Sequence, residues 1–206
     1  MTAKEHHTSD QLTTVEKIKE AARSSFIDNG YSATKIRDIA SKAGINLALL
    51  NYHFGSKEKL FEILMKENID RLFAQIHPIL NDLGTSLKEK LELLSEHYIG
   101  LITSEPNLPA FVLGEIQNHP ERFADQIRIN SGVMESNYMK QLAEADHSLD
   151  PVHHLMTYLG ILLFPFFFKP LLKSTGRINE EQFMAIMQQR KSYAPKWMLQ
   201  ILDSKD

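Results

Sequence analysis

Cysteine is absent from all 206 residues. That absence removes disulfide staples and thiolate metal sites, and it fits a reducing compartment. Phosphate-binding glycine motifs and a GxSxG nucleophile elbow are also missing. The scattered histidines, among them His77, His97, His119, His147, His153 and His154, show no HExxH-type spacing, so we expect no metal, no cofactor and no catalytic residues. The longest strongly apolar run, Ile161 to Phe168, is far below the ~20 residues that span a bilayer. The first ten residues, MTAKEHHTSD, lack the apolar segment of a secretion signal, and we expect a cytoplasmic protein with no membrane partner. No stretch alternates apolar and polar residues between turn dipeptides, which leaves an all-α fold.

What the chain does contain is ordinary for a globular protein: 43% apolar residues, 24% charged residues and a net charge of −3. The charge is uneven. Residues 1 to 60 hold nine Lys/Arg against seven Asp/Glu, and the remainder holds 14 against 19. A locally positive end suits an anionic partner even when the total is acidic.

The stretch TKIRDIASKAGINLALLNYHFGSKEK, Thr34 to Lys59, is the most informative. Ile36, Ile39, Ala40 and Ala43 mark one apolar face of a short helix. Gly44 stops it, because glycine accepts the left-handed conformation of a sharp helix end, and Ile45 can seal the turn. Asn46 is an effective N-cap for a second helix with Leu50 and Phe54 inward. Two short helices around a glycine turn are the pattern of a helix-turn-helix, whose second helix enters the DNA major groove.

Around this stretch the chain reads as a series of helices. Residues 1–12 read as a flexible arm. Thr13 and Glu16 form a capping box for a helix carrying Val15, Ile18, Ala22 and Phe26, ended by Asn29-Gly30. Ser56 caps a long helix from Lys57 that Pro78 is expected to kink or end. Ser86 and Glu89 open a helix carrying Leu87, Leu91, Leu94, Tyr98 and Leu101. Pro109 and Pro120 suit the first turns of the next two, the second carrying Phe123, Ile127, Met134 and Leu142. Asp150-Pro151 starts a very apolar helix bent at Pro165 and Pro170. Asn179 with Gln182 opens a last one, interrupted near Pro195.

The segment from Thr13 to about Lys66 resembles the N-terminal domain of the TetR family of bacterial transcriptional regulators. The resemblance is carried by FIDNGYSAT, TKIRDIASKAGI and NYHFGSKEKLF. It implies a DNA-binding domain over 13–60 and an effector-binding and dimerisation domain over 61–206. Thr34, at a helix N-terminus that favours anions, and Tyr52, His53 and Lys57, which match the family pattern, are candidate phosphate contacts. Lys35 and Arg37 on the second helix, and Asn46, Leu47, Leu49 and Asn51 on the third, are candidate base contacts. Leu47 and Leu49 depart from the polar residues often found there. They have two readings: contact with thymine methyls or, for Leu47, a place in the core. Asn51 stands where many relatives have tyrosine.

For the second domain, the resemblance implies a homodimer through its last two long helices, about 151–173 and 179–192. Phe164, Phe166, Phe167 and Phe168 exceed what one inward face can cover, which points the same way. It also implies an effector pocket, for which Phe111, Glu115, Met134 and Tyr138 combine apolar walls with polar anchors. The expected protein is a repressor that leaves a pseudo-palindromic double-stranded operator when a small, largely apolar effector binds. Two rivals remain, a helical enzyme and a membrane-surface protein anchored through Ile161 to Phe168. The first lacks any acid-base or nucleophile constellation, and for the second the prolines fit buried packing better.

Overall fold

The computed structural model describes residues 13–104 and 132–204, together with Val112, Ile116, Pro120 and Glu121. Among these the chain forms eight helices and no strand: α1 (Thr14–Ala33), α2 (Ile36–Lys42), α3 (Leu47–Phe54), α4 (Lys57–Asn81), α5 (Leu87–Ser104), α6 (Asn137–Ala145), α7 (Pro151–Ser174) and α8 (Glu180–Asp203). The arm, and the helix expected from Pro109, lie outside the described residues. Two compact units result, the first ending at Met65 and the second beginning at Lys66.

In the first unit, Ile18, Ala22 and Phe26 of α1 are buried with Ile39 and Ala40 of α2, Leu50 and Phe54 of α3, and Leu60, Phe61 and Leu64 of α4. Phe61 meets Phe26 edge-on at 5.2 Å between ring centroids and lies 4.6 Å from Tyr31. Short helices such as α2 and α3 have too few internal hydrogen bonds to persist alone, and this shared core stabilises them. The turn between them is a Schellman motif. The Gly44 amide donates to Ser41 O at 3.1 Å and the Ile45 amide to Ala40 O at 3.0 Å, with Gly44 at φ +68°.

Caps foreseen in the sequence are formed. The Thr13 hydroxyl accepts from the Glu16 amide, Ser86 and Glu89 bond reciprocally, and Asn179 and Gln182 make a complete capping box. Pro78 does not end its helix, and Pro195 does not interrupt its own. Helix α4 continues past Pro78 to Asn81, and α8 runs through Pro195 to Asp203 without the expected interruption. Pro78 lies in the last turn of its helix, and Pro195 is buried beside Ala194 and Met198. Packing of the ring compensates for the lost amide bond that disfavours proline in an isolated helix. Gly30, at φ 76° and ψ 164°, breaks the helical backbone of α1 at the position where the sequence ends the first helix.

Met134 is a second departure. The sequence pattern carried one helix from Pro120 through Met134 to Leu142. Residues 132–135 are instead a turn, and Ser136 caps the separate helix α6 by accepting from the Met139 amide at 3.3 Å. A serine in an N-cap position offers the backbone this alternative, which apolar periodicity alone does not register.

The second unit has its own core. Ile76 and Leu80 of α4, Leu91, Leu94, Ile99 and Ile102 of α5, Tyr138, Met139 and Leu142 of α6, Tyr158, Leu162 and Phe166 of α7, and Phe183, Met187, Met198 and Leu202 of α8 form one cluster. Lys90 is completely buried, its ammonium donating to Thr85 O at 2.9 Å, to Thr85 Oγ1 at 2.6 Å and to Asp82 O. Asn137 and Gln141 of α6 reach the same two carbonyl groups, Asp82 O at 3.1 Å and Thr85 O at 3.0 Å. The α4–α5 loop therefore has its inward carbonyls satisfied from two directions.

Candidate functional site

The helix-turn-helix divides its side chains by face. Leu50 and Phe54 of α3 are buried, while Asn51, Tyr52 and His53 are exposed, Tyr52 at 82%. The rings of Tyr52 and His53 meet edge-on with centroids 5.3 Å apart. Lys35 and Arg37 of the α2 region are exposed. Lys35 occupies the N-cap position without a side-chain cap bond. Leu47 and Leu49 are half-buried, which leaves both readings of them standing. Asn46 caps α3, its Oδ1 accepting from the Leu49 amide at 2.8 Å. Its amide nitrogen and the second lone pair of the oxygen remain for an outward contact.

Two of the candidate phosphate contacts also make hydrogen bonds within the unit. Thr34 is 3% exposed, and its hydroxyl donates inward to Ser25 O at 2.9 Å and Gly30 O at 2.8 Å. Its amide also bonds to Gly30 O, at 3.3 Å. Thr34 thus ties the end of α1 to its own helix, and its hydroxyl is not offered to a phosphate. The Lys57 ammonium donates to Tyr31 O at 2.9 Å and to Thr34 O at 3.0 Å and lies over the Tyr31 ring. With two of its three donors bonded within the unit, Lys57 is first a brace for the α1–α2 junction.

The second unit carries a partly open cavity of about 220 Å³. Phe73, Ile76 and Leu80 of α4, Leu94 and Tyr98 of α5, and Leu155, Tyr158, Leu159 and Leu162 of α7 form its wall with Val133, Met134 and Tyr138. Of the four sequence-based pocket residues, Met134 and Tyr138 therefore line this cavity, and Phe111 and Glu115 lie outside the described residues. Sequence reasoning missed Tyr98 and Tyr158, which it treated as core or passed over. A signal was present, because a tyrosine on an apolar helix face brings a hydroxyl that must find a partner. Tyr158 donates to Leu91 O. Tyr138 is 1% exposed, and its hydroxyl has no hydrogen-bond partner among the described residues. Burial pushes the Tyr98 phenol up to about 12 and raises the phenols of Tyr138 and Tyr158 as well. All three remain protonated donors at neutral pH.

Residues 18–64 match the family model for bacterial regulatory proteins of the tetR family. This match identifies residues 18–64 as a TetR-type N-terminal domain. TetR-family proteins are transcriptional regulators and not enzymes. Among relatives, the HTH-type transcriptional repressor KstR2 of Mycolicibacterium smegmatis is 41% identical over 76 residues, covering 37% of this chain and 37% of the relative. KstR2 of Mycobacterium tuberculosis is 27% identical over 139 residues, 61% of this chain and 70% of that one. The match thus spans little more than a third of the first relative's length and most of the second's. The structure of the ketosteroid transcriptional regulator KstR2 of Mycobacterium tuberculosis superposes with a TM-score of 0.68 at 21% identity, over 91% of this chain and 96% of that chain. The transcriptional regulator FadR from Bacillus subtilis, solved with stearoyl-CoA, gives 0.64 at 16% identity, over 86% and 96%. These likenesses establish the all-helical TetR-family fold, with an N-terminal helix-turn-helix and a helical second domain.

Proposed function

We propose that this TetR-family chain is a cytoplasmic, homodimeric repressor that leaves its operator when a small, largely apolar effector enters the second unit. The observation that carries the DNA-binding part is the split face of the helix-turn-helix, with Leu50 and Phe54 buried and Lys35, Arg37, Asn51, Tyr52 and His53 exposed. Residues 13–60 would form the DNA-binding domain and 61–206 the effector and dimer domain. Lys35, Arg37 and Asn51 supply base-edge donors and acceptors, and Tyr52 and His53 supply phosphate contacts. Two copies would read a pseudo-palindromic site with half-sites ~10 bp or a little more apart.

Dimerisation is supported by apolar side chains left uncovered on α7 and α8. Met156, Phe164, Phe168 and Leu171 on α7 and Ile186, Tyr193, Trp197 and Ile201 on α8 are all exposed, Met156 at 65% and Phe164 at 60%. Each set follows a helical stripe, and two such stripes are the surface a second copy covers in a four-helix interface. Helix α7 is also long and apolar enough to cross a membrane. Its other face buries His154, Tyr158, Leu162 and Phe166 in the unit's own core, and the Arg190 guanidinium donates to Ile161 O at 2.7 Å. Those contacts favour a protein partner over lipid.

The effector part rests on the apolar cavity. An effector that binds better to the state with the wrong half-site spacing weakens DNA binding, and by linkage DNA weakens effector binding by the same factor. The test is a mobility-shift titration of the purified protein against the DNA upstream of its own gene at low salt. A shift that salt weakens supports the reading, and no shift overturns it.

A further inference from the structure

A recognition helix meets base edges mainly with its N-terminal residues. In α3 those residues are Leu47, Ala48, Leu49 and Leu50, all apolar. Leu50 is buried, Leu47 and Leu49 are half-buried, and Ala48 is exposed. At ~100° per residue, Ala48 shares one face with the exposed Asn51 and Tyr52, three and four positions on. Asn46, just ahead of them, already has one oxygen lone pair engaged by the Leu49 amide. The side chain presented outward from the first turn of α3 is therefore a methyl group.

A methyl group offers no hydrogen bond, so it distinguishes bases only by their apolar surface. In the major groove that surface is the C5-methyl of thymine. Covering it takes two methyl groups out of water at once. Cytosine carries only a hydrogen at C5. A purine in the same place would set its N7 acceptor against Ala48 and lose hydration with no hydrogen bond in return.

We infer that Ala48 is a specificity-determining residue, selecting thymine at one position of each half-site by covering its C5-methyl. This rests on the DNA-binding reading above and names one base of the site it reads. The short side chain lets the start of α3 approach the base edges closely. Tyr52, one turn on and 82% exposed, reaches toward the phosphates, and Asn51 is left to read a neighbouring base by hydrogen bonds.

The experiment starts with selection of duplexes from a randomised pool by the full chain. The selected duplex is then titrated with each thymine replaced in turn by deoxyuridine, which deletes only the methyl. In wild type, one replacement in each half-site should lower affinity about fourfold, the worth of one methyl group taken out of water. Ala48→Gly should not respond to that replacement and should respond to every other as wild type does. A selected site without a thymine in each half-site, or a uracil scan without effect, overturns the inference. So does an effect that Ala48→Gly retains, which would set the methyl against Leu47 or Leu49.

Glycine lowers helix stability, so thermal melts accompany the titrations. Should Ala48→Gly fail to fold, Ala48→Gln keeps a good helix former and replaces the methyl with an amide suited to adenine. Selection with Ala48→Gln should lose thymine at that position, and selection of the same thymine rejects the inference. Failure of wild type to select any duplex at low salt rejects the regulator itself. A defined site followed by a flat uracil scan rejects only the role of Ala48.

Discussion

The Lys57 ammonium sits 4.1 Å from the centroid of the Tyr31 ring and donates to the carbonyl of that same tyrosine at 2.9 Å. A second bond, to Thr34 O at 3.0 Å, closes the junction between α1 and α2. The lysine begins α4, so one side chain ties the start of α4 to the end of α1 and to its C-cap residue. Lys57→Met should lower the unfolding free energy by about 2 kcal/mol, since hydrogen bonds to charged groups are worth more than neutral ones. Urea denaturation measures this. Unchanged stability with a salt slope of DNA binding reduced by about one unit would instead assign Lys57 to a phosphate.

Asn46 offers a cleaner separation of fold from readout. Asn46→Ala removes the cap on the Leu49 amide and should cost about 1 kcal/mol. Asn46→Asp keeps a capping oxygen and puts negative charge at a helix N-terminus, so stability should hold or rise while DNA affinity falls. Equal behaviour of the two variants in denaturation and in DNA titration would show that the amide group has no outward role.

Arg37 and His53 should differ in kind. Arg37→Ala is expected to relax preference at one base position by about 1 to 3 kcal/mol, whereas His53→Ala weakens binding to all sequences alike. Binding-site selection on a randomised operator distinguishes them, and a uniform loss for Arg37→Ala removes it from base readout.

Phe164→Glu tests the uncovered stripe of α7. Phe164 is 60% exposed and stacks on Phe168 at 5.6 Å, so a charge there costs the folded unit little. In an interface the same charge would lose its water and face its symmetry mate. Sedimentation velocity should show a monomer, with operator affinity lost. A dimer of wild-type strength would place the interface elsewhere, and sedimentation of wild type with liposomes tests lipid as the cover.

Acid should weaken the second unit through three carboxyls held below the usual range. Glu89 is lowered by the backbone and side chain of Ser86, Asp146 by Ser148 and then by His154, and Glu180 by Lys169 and Lys173. A depressed carboxyl contributes stability above its unfolded pKa, and that contribution is lost as pH falls through the folded one. Stability attributable to them should therefore be full at neutral pH and decline below about pH 4. Asp146→Asn should flatten that decline in thermal melts taken across acid pH, and an unchanged profile would rule the Ser148–His154 contacts out.

Much of the first unit was legible in the sequence because its determinants are local. The Schellman turn at Gly44, the Asn46 cap and the burial of Leu50 and Phe54 each depend on residues three to five positions apart. Helix periodicity encodes such relations directly. The capping boxes at Ser86 and Asn179 were legible for the same reason.

Contacts between distant residues decided the rest. Thr34 turns inward to Ser25, nine positions away, and Lys57 is bonded to Tyr31, 26 positions away. No local pattern carries either fact. Pro195 stays helical because its ring is buried in the unit's core. The cavity is assembled from α4, α5, α6 and α7, and only their packing leaves the Tyr138 hydroxyl sealed without a partner among the described residues. The chain's periodicity thus determined most of its helices, their caps and its helix-turn-helix. Tertiary packing decided which polar groups remain free to act, because a hydrogen bond between distant segments exists only once the fold has brought them together.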